Sequence, residues 1–223
     1  MKRTVLIVLL SLLSLPASHA RKHNHLLVGV NIMPAVRLND QFKFDILKIS
    51  HVSGLQIYYG GKKVFFNTGI QYLHLAEQHR PHQQNYQRDI TSLIGGPFDS
   101  TILETKSCVR THLIGIPFIV SCVFGKQKTA LICDAGVEIN YLLGRNVKTK
   151  TTYVDGTEKT TSRSTYPMKN HFYFAPVMRV GLQRRIGKKI AAMIQPEIGF
   201  YFARNDVDFW VTGLRFTILN FIR

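Results

Sequence analysis

The sequence is short of acids, of cysteine and of long apolar runs. Its 223 residues hold 13 Asp and Glu against 29 Lys and Arg, a formal charge of +16, so anionic partners are favoured and acidic surfaces are rare. Nucleic acid is the usual partner for such a balance. No helix-turn-helix, zinc-finger spacing or RNP-like string occurs, however, and a leader for export argues against it. Three cysteines, Cys108, Cys122 and Cys133, are an odd count without a paired CxxC. That excludes a complete disulfide framework and a structural zinc site. With Gly125 to Lys128 as a turn, Cys122 is expected to face Leu131 and Cys133 to face Val120. The two thiols are then diagonal neighbours, poorly placed for a bond, and all three read as small apolar fillers.

The one long apolar run opens the chain. In "MKRTVLIVLLSLLSLPASHA", Lys2 and Arg3 precede the stretch Val5 to Leu15, and Ser18-His19-Ala20 puts small residues at the −3 and −1 positions of a cleavage site. This is the pattern of a secretory signal peptide over residues 1–20, too short for the ~20 residues of a spanning helix. No cysteine follows the cleavage site, so no lipoprotein anchor is expected. Residues 21–223 are then one exported domain.

What the chain does have is alternation. In "TALICDAGVEINYL" (129–142), Leu131, Cys133, Ala135, Val137, Ile139 and Tyr141 share a face opposite Asp134, Gly136, Glu138 and Asn140. "IAAMIQPEIGFYF" sorts in the same way, with Ile194, Ile198 and Phe200 opposite Gln195, Glu197 and Tyr201. The runs lie near 26–38, 52–59, 64–76, 109–124, 129–143, 172–185, 190–203 and 209–222. Most are about as long as a tilted strand needs to cross a bilayer, and longer than the ~5–6 residues usual in soluble strands. Aromatic residues gather toward run ends (Tyr58, Tyr59, Phe65, Phe66, Phe124, Phe172, Tyr173, Phe174, Phe200, Phe202, Phe209, Trp210), as in interfacial girdles. Gly-Lys turns at 60–63, 125–128 and 187–189 alternate with long connections. The expectation is an all-β, eight-stranded antiparallel up-and-down barrel in the cell outer membrane, with short periplasmic turns and long extracellular loops. The rival is a soluble periplasmic ligand-binding barrel of lipocalin type, with the oily face inward.

"HLIGIPFIVSCVFGKQKTALICDAGVEINYLL" (112–143) resembles the central hairpin of the PorT-like outer-membrane β-barrel family of Bacteroidetes-type bacteria. "WVTGLRFTILNFIR" (210–223) resembles its barrel-closing strand, with Gly213 followed by Phe216 and Ile218. The chain departs from the pattern at its end, Phe221-Ile222-Arg223, where many such barrels finish on an aromatic residue. The resemblance implies the fold and the outer membrane, together with roles that range over secretion components and adhesins.

Candidate chemistry is sparse. Glu77, His79 and His82 in "EQHRPH" match no common zinc spacing and read as a solvated loop. Asp99, Ser100 and His112 lack the setting of a nucleophile elbow. No enzyme, cofactor or metal is therefore expected. The polar face includes Asn31, Arg37, Gln56, Gln71, Asp134, Glu138, Asn140, Arg179, Gln183, Gln195, Glu197 and Arg215, in which three acids meet three arginines as a cross-linked plug. Between Leu143 and Phe172, Asp155-Gly156 signals a type I′ hairpin that continues beyond the membrane. Its arms carry Arg145, Lys148, Lys150, Lys159, Arg163 and Lys169, suited to phosphorylated lipid headgroups. The segment 77–108 holds Ile90, Leu93, Ile94, Phe98, Ile102 and Leu103, apolar enough to form a lid over the barrel mouth or to dock a partner. The partners expected are outer-membrane lipid and an envelope or secretion-complex protein, around a monomeric barrel.

Overall fold

A computed structural model describes residues 25–39, 49–61, 63–78, 82–83, 102–125, 128–165, 172–187, 189–203 and 208–222. They form β1 (His25–Asn39), β2 (Ser50–Gly60), β3 (Val64–Gln78), β4 (His82–Gln83), β5 (Ile102–Phe124), β6 (Thr129–Tyr153), β7 (Glu158–Thr165), β8 (Phe172–Arg185), β9 (Ile190–Tyr201) and β10 (Phe209–Ile222). Alternating β-branched and aromatic residues suit the pleat. Every pairing is antiparallel, and the order β5-β3-β2-β1-β10-β9-β8-β6 closes on itself through β5–β6. The eight expected strands make this ring, an up-and-down barrel without a free edge. β4 and β7 lie outside it, paired to β5 and β6.

β5 and β6 outgrow the barrel. They run for 23 and 25 residues, starting seven residues earlier and ending ten residues later than their alternation suggested. The extension of β6 and the strand β7 are the two arms of the hairpin expected around Asp155-Gly156, whereas the early start of β5 carried no hydrophobic alternation. A register shift pairs Leu113 with Leu142 but His112 with Gly144, leaving Leu143 as the extra residue of a bulge just after β6 parts from β8, while β5 stays paired with β3 as far as Cys108. Beyond it, Arg145 to Tyr153 spans about 30 Å at the usual rise of a strand, flanked by β5 and β7 as a blade.

The tip of the blade is a hairpin, but not of type I′. Gly156 N–H donates to Tyr153 O at 3.1 Å, so the turn centres on Val154 and Asp155, with Gly156 following at φ 82°. This is a three-residue loop ending in a glycine bulge. Asp155 Oδ1 accepts from the Thr157 hydroxyl at 2.7 Å and from its amide at 2.9 Å, which holds the carboxyl below its usual range. At the other rim, Gly125 has φ 123°, which a side chain rarely adopts.

Two sequence expectations change with the register. Cys122 and Cys133 are direct cross-strand partners rather than diagonal ones, because the connection from Phe124 reaches Leu131 instead of Thr129. Both are free thiols on the outer face. Tyr58, Phe65, Tyr173 and Phe209 are not girdle residues, since each lies inside the barrel at 9% exposure or less. Tyr59, Phe66, Phe124, Phe172, Phe174 and Phe202 are exposed and remain on the outside.

Candidate functional site

Along almost every strand of the ring the inward side chains read apolar, polar, apolar. On β1 the order is Leu27, Asn31, Met33; on β3 it is Phe65, Asn67 and Gln71, Leu73; on β10 it is Leu219, Arg215, Val211. Ring closure therefore stacks three layers in the lumen. Leu27, Tyr58, Phe65, Ile132, Ala191, Met193 and Leu219 fill the end near the short turns. Met33, Val52, Leu73, Leu113, Leu142, Tyr173, Tyr201, Phe209 and neighbours fill the end near the blade. Tyr201 and Phe209 stack there, with ring centroids 5.2 Å apart.

Between them lies the charged layer. Glu197 is its hub: Oε2 accepts from Arg179 Nε and Arg215 Nε, each at 2.5 Å, and Oε1 accepts from Arg215 Nη2 at 3.0 Å. Arg179 also donates through Nη2 to Glu138 Oε1 at 2.7 Å. Glu138 Oε2 accepts from Gln71 at 2.5 Å and from the Tyr201 hydroxyl at 3.1 Å. Arg215 Nη1 donates to Asn31 at 2.8 Å, and Gln195 donates to Asp134 at 2.9 Å. Buried charge is costly unless paired and hydrogen-bonded, and these bonds reach across the lumen between six strands. The result is a cross-brace between β1, β3, β6, β8, β9 and β10.

Of the expected network, Asp134, Glu138, Arg179, Glu197 and Arg215 meet in this layer. Arg37 does not. It lies higher on β1, with Nη1 3.1 Å from Glu77 and its guanidinium 4.1 Å from the Phe209 ring centroid. Glu77 is accordingly a β3 residue with an ionic partner rather than part of a solvated loop. Its position just beyond the expected end of the strand concealed this.

On the blade, Lys148 and Lys150 are exposed on β6, Lys159 and Arg163 on β7, and Lys150 pairs with Glu158 at 2.7 Å. Arg145 turns toward the barrel mouth, donating to the Tyr173 hydroxyl at 3.1 Å, because the bulge at Leu143 reverses the facing of the residues after it. Lys169 lies outside the described residues, as do Ile90, Leu93, Ile94 and Phe98. Ile102 and Leu103 belong to β5 and not to a lid loop, since Ile102 pairs with Tyr153. Asp99, Ser100 and His79 are likewise outside the described residues.

A row of histidines had no signal in the linear sequence. His51, His74 and His112 are register partners on β2, β3 and β5, with adjacent ring centroids 5.0 Å apart. The Tyr72 hydroxyl lies 2.6 Å from His112 Nδ1. Only strand register brings together three residues so far apart in the chain.

The outer surface is oily, with Val30, Ile32, Leu55, Ile70, Met178 and Ile218 each more than half exposed. The acids of the ring point inward, the reverse of a soluble ligand-binding barrel. No family model matches the chain, and no curated protein matches it. Among solved structures it is similar to Neisserial surface protein A, at 7% identity over 89% of this chain and 99% of the other, with a TM-score of 0.49. A major outer membrane protein of Thermus thermophilus aligns at 9% identity over 90% and 100%, with a TM-score of 0.42. The attachment invasion locus protein Ail of Yersinia pestis aligns at 13% identity over 89% and 99%, with a TM-score of 0.34. The assignment rests on the molecule's own features. A closed ring leaves no ring strand with a free edge, and a lipid-compatible exterior surrounds a lumen whose middle layer is charged. The chain is a small transmembrane β-barrel of an outer membrane.

Proposed function

We propose that this barrel is a non-conducting, monomeric envelope protein whose work is done by its extracellular blade, in a structural or binding role and without catalysis. The observation that carries this is the sandwich of a charge-braced layer between two apolar layers, which leaves the lumen nothing to transport. Function then belongs to the surface, where Lys148, Lys159 and Arg163 present cations on a stiff platform. Their partner in this reading is the phosphate of lipid headgroups. The likeness of the 112–143 hairpin to PorT-like barrels supports a further place beside an envelope or secretion-complex protein.

The test is reconstitution of the full chain into bilayers with and without a phosphorylated anionic lipid, followed by analysis of the lipid that co-purifies. Wild type is expected to enrich the anionic lipid in a salt-sensitive way. The triple variant Lys148→Gln, Lys159→Gln, Arg163→Gln is expected to lose that enrichment while remaining folded. Equal enrichment by both proteins would sink the headgroup reading.

A further inference from the structure

We propose that the row His51, His74 and His112 is a surface site for one borderline transition-metal cation of the Zn²⁺ class, held between two neighbouring imidazoles with water completing its shell. The row lies on the outward face at the upper edge of the apolar belt. On the same face and toward the short turns stand Leu55 on β2, Ile70 on β3 and Ile114 on β5, all exposed. It takes no part in the lumen network.

The spacing fits a shared ion. A metal–nitrogen bond of ~2.0–2.1 Å places the cation roughly 3 Å from an imidazole centroid, so two rings sharing one ion stand up to about 6 Å apart. Both neighbouring pairs, at 5.0 Å, lie within that reach. The ladder favours the pair His74–His112. Val123 N–H donates to Lys63 O at 2.7 Å, so odd-numbered residues of β5 turn their backbone groups toward β3. His112, opposite His74, is then in a pair that exchanges no backbone hydrogen bonds, where cross-strand side chains approach most closely.

The Tyr72 contact is the second, independent observation. A hydroxyl 2.6 Å from His112 Nδ1 can accept that N–H, which fixes the ring in the tautomer whose Nε2 lone pair is free for a metal. Histidine ligands are oriented in this way in built sites. The three rings form a row rather than a ring, and among the described residues no group of three His, Cys, Asp or Glu surrounds a single point. One ion therefore takes two imidazoles, and His74 belongs to either pair. Two neutral nitrogens without a carboxylate favour Zn²⁺, Ni²⁺ or Cu²⁺ over Ca²⁺ or Mg²⁺.

The experiment is calorimetric titration of the folded full-length barrel in detergent, without a histidine tag, with Zn²⁺. One equivalent should bind to wild type. His74→Asn should weaken that binding by more than about tenfold, as should the double variant His51→Asn, His112→Asn. Each variant is first checked for wild-type heat-dependent migration, and the double variant decides the question if His74→Asn does not fold. No uptake of Zn²⁺ by wild type overturns the proposal, and so does undiminished binding in a folded variant, because the cation would then sit elsewhere.

Discussion

Glu197→Gln removes the carboxylate shared by both lumen guanidiniums, and the two arginines do not suffer equally. Arg179 keeps its bond to Glu138 at 2.7 Å, whereas Arg215 is left with the neutral oxygens of Asn31 at 2.8 Å and Gln71 at 3.5 Å. The loss thus falls mainly on a fully buried Arg215, and leaving such a charge uncompensated costs about 3–5 kcal/mol. Glu138→Gln should cost less, about 1–2 kcal/mol, since Arg179 retains Glu197 and the amide still accepts a hydrogen bond. Arg215→Met in the Glu197→Gln background removes the stranded charge and should recover part of the loss. The expected coupling is about 2 kcal/mol in a double-mutant cycle. Urea unfolding of the barrel reconstituted in lipid, followed by tryptophan fluorescence and by heat-dependent migration in SDS, gives the stabilities of wild type, Glu197→Gln, Arg215→Met, their double variant and Glu138→Gln. Additive losses, or a Glu138 effect larger than that of Glu197, would refute the hub.

Two further outcomes concern the blade. An epitope inserted between Asp155 and Gly156 should be reached by antibody on intact cells, and one placed after Gly187 only once the outer membrane is permeabilised; the opposite pattern would reverse the orientation. The carboxyl of Asp155 is stabilised in its ionised form by Thr157, so this contribution is complete above the unfolded value of ~3.9 and fades as pH falls through the lower folded value. The Thr157 amide shift should therefore titrate with a midpoint below ~3.9, and Asp155→Asn should abolish the transition. A midpoint at or above the unfolded value contradicts this turn.

The ring was legible because period-2 alternation is strong wherever one face meets lipid, and the inward residues Asp134, Glu138, Arg179, Glu197 and Arg215 followed from it directly. The blade was legible in part: the Asp155-Gly156 turn marked its hairpin, but the third strand, Ile102 to Ser107 of β5, was assigned to a loop. In Ile102 to Ser107 the apolar pair Ile102-Leu103 is followed by Glu104, Thr105, Lys106 and Ser107, so the alternation that marks a bilayer strand is lost there. The apolar layers of the lumen misled the reading for the opposite reason. Tyr58, Phe65, Tyr173 and Phe209 sit near strand ends, where a girdle is expected, but they occupy inward positions and close the barrel instead. Register was the least accessible quantity: a shift of two residues in one turn separates diagonal thiols from the facing pair Cys122 and Cys133, and the histidine row exists only once three registers are known together.

The central claim is a membrane-spanning barrel whose lumen is closed by two apolar layers around a charge-braced one. Single-channel recording of the purified chain in a planar bilayer tests it most directly, after insertion has been verified by protease protection. Inserted wild-type protein should give no stable open level across the usual range of voltages. A steady, reproducible conductance from the same preparation would mean that the lumen is open, and would contradict the account.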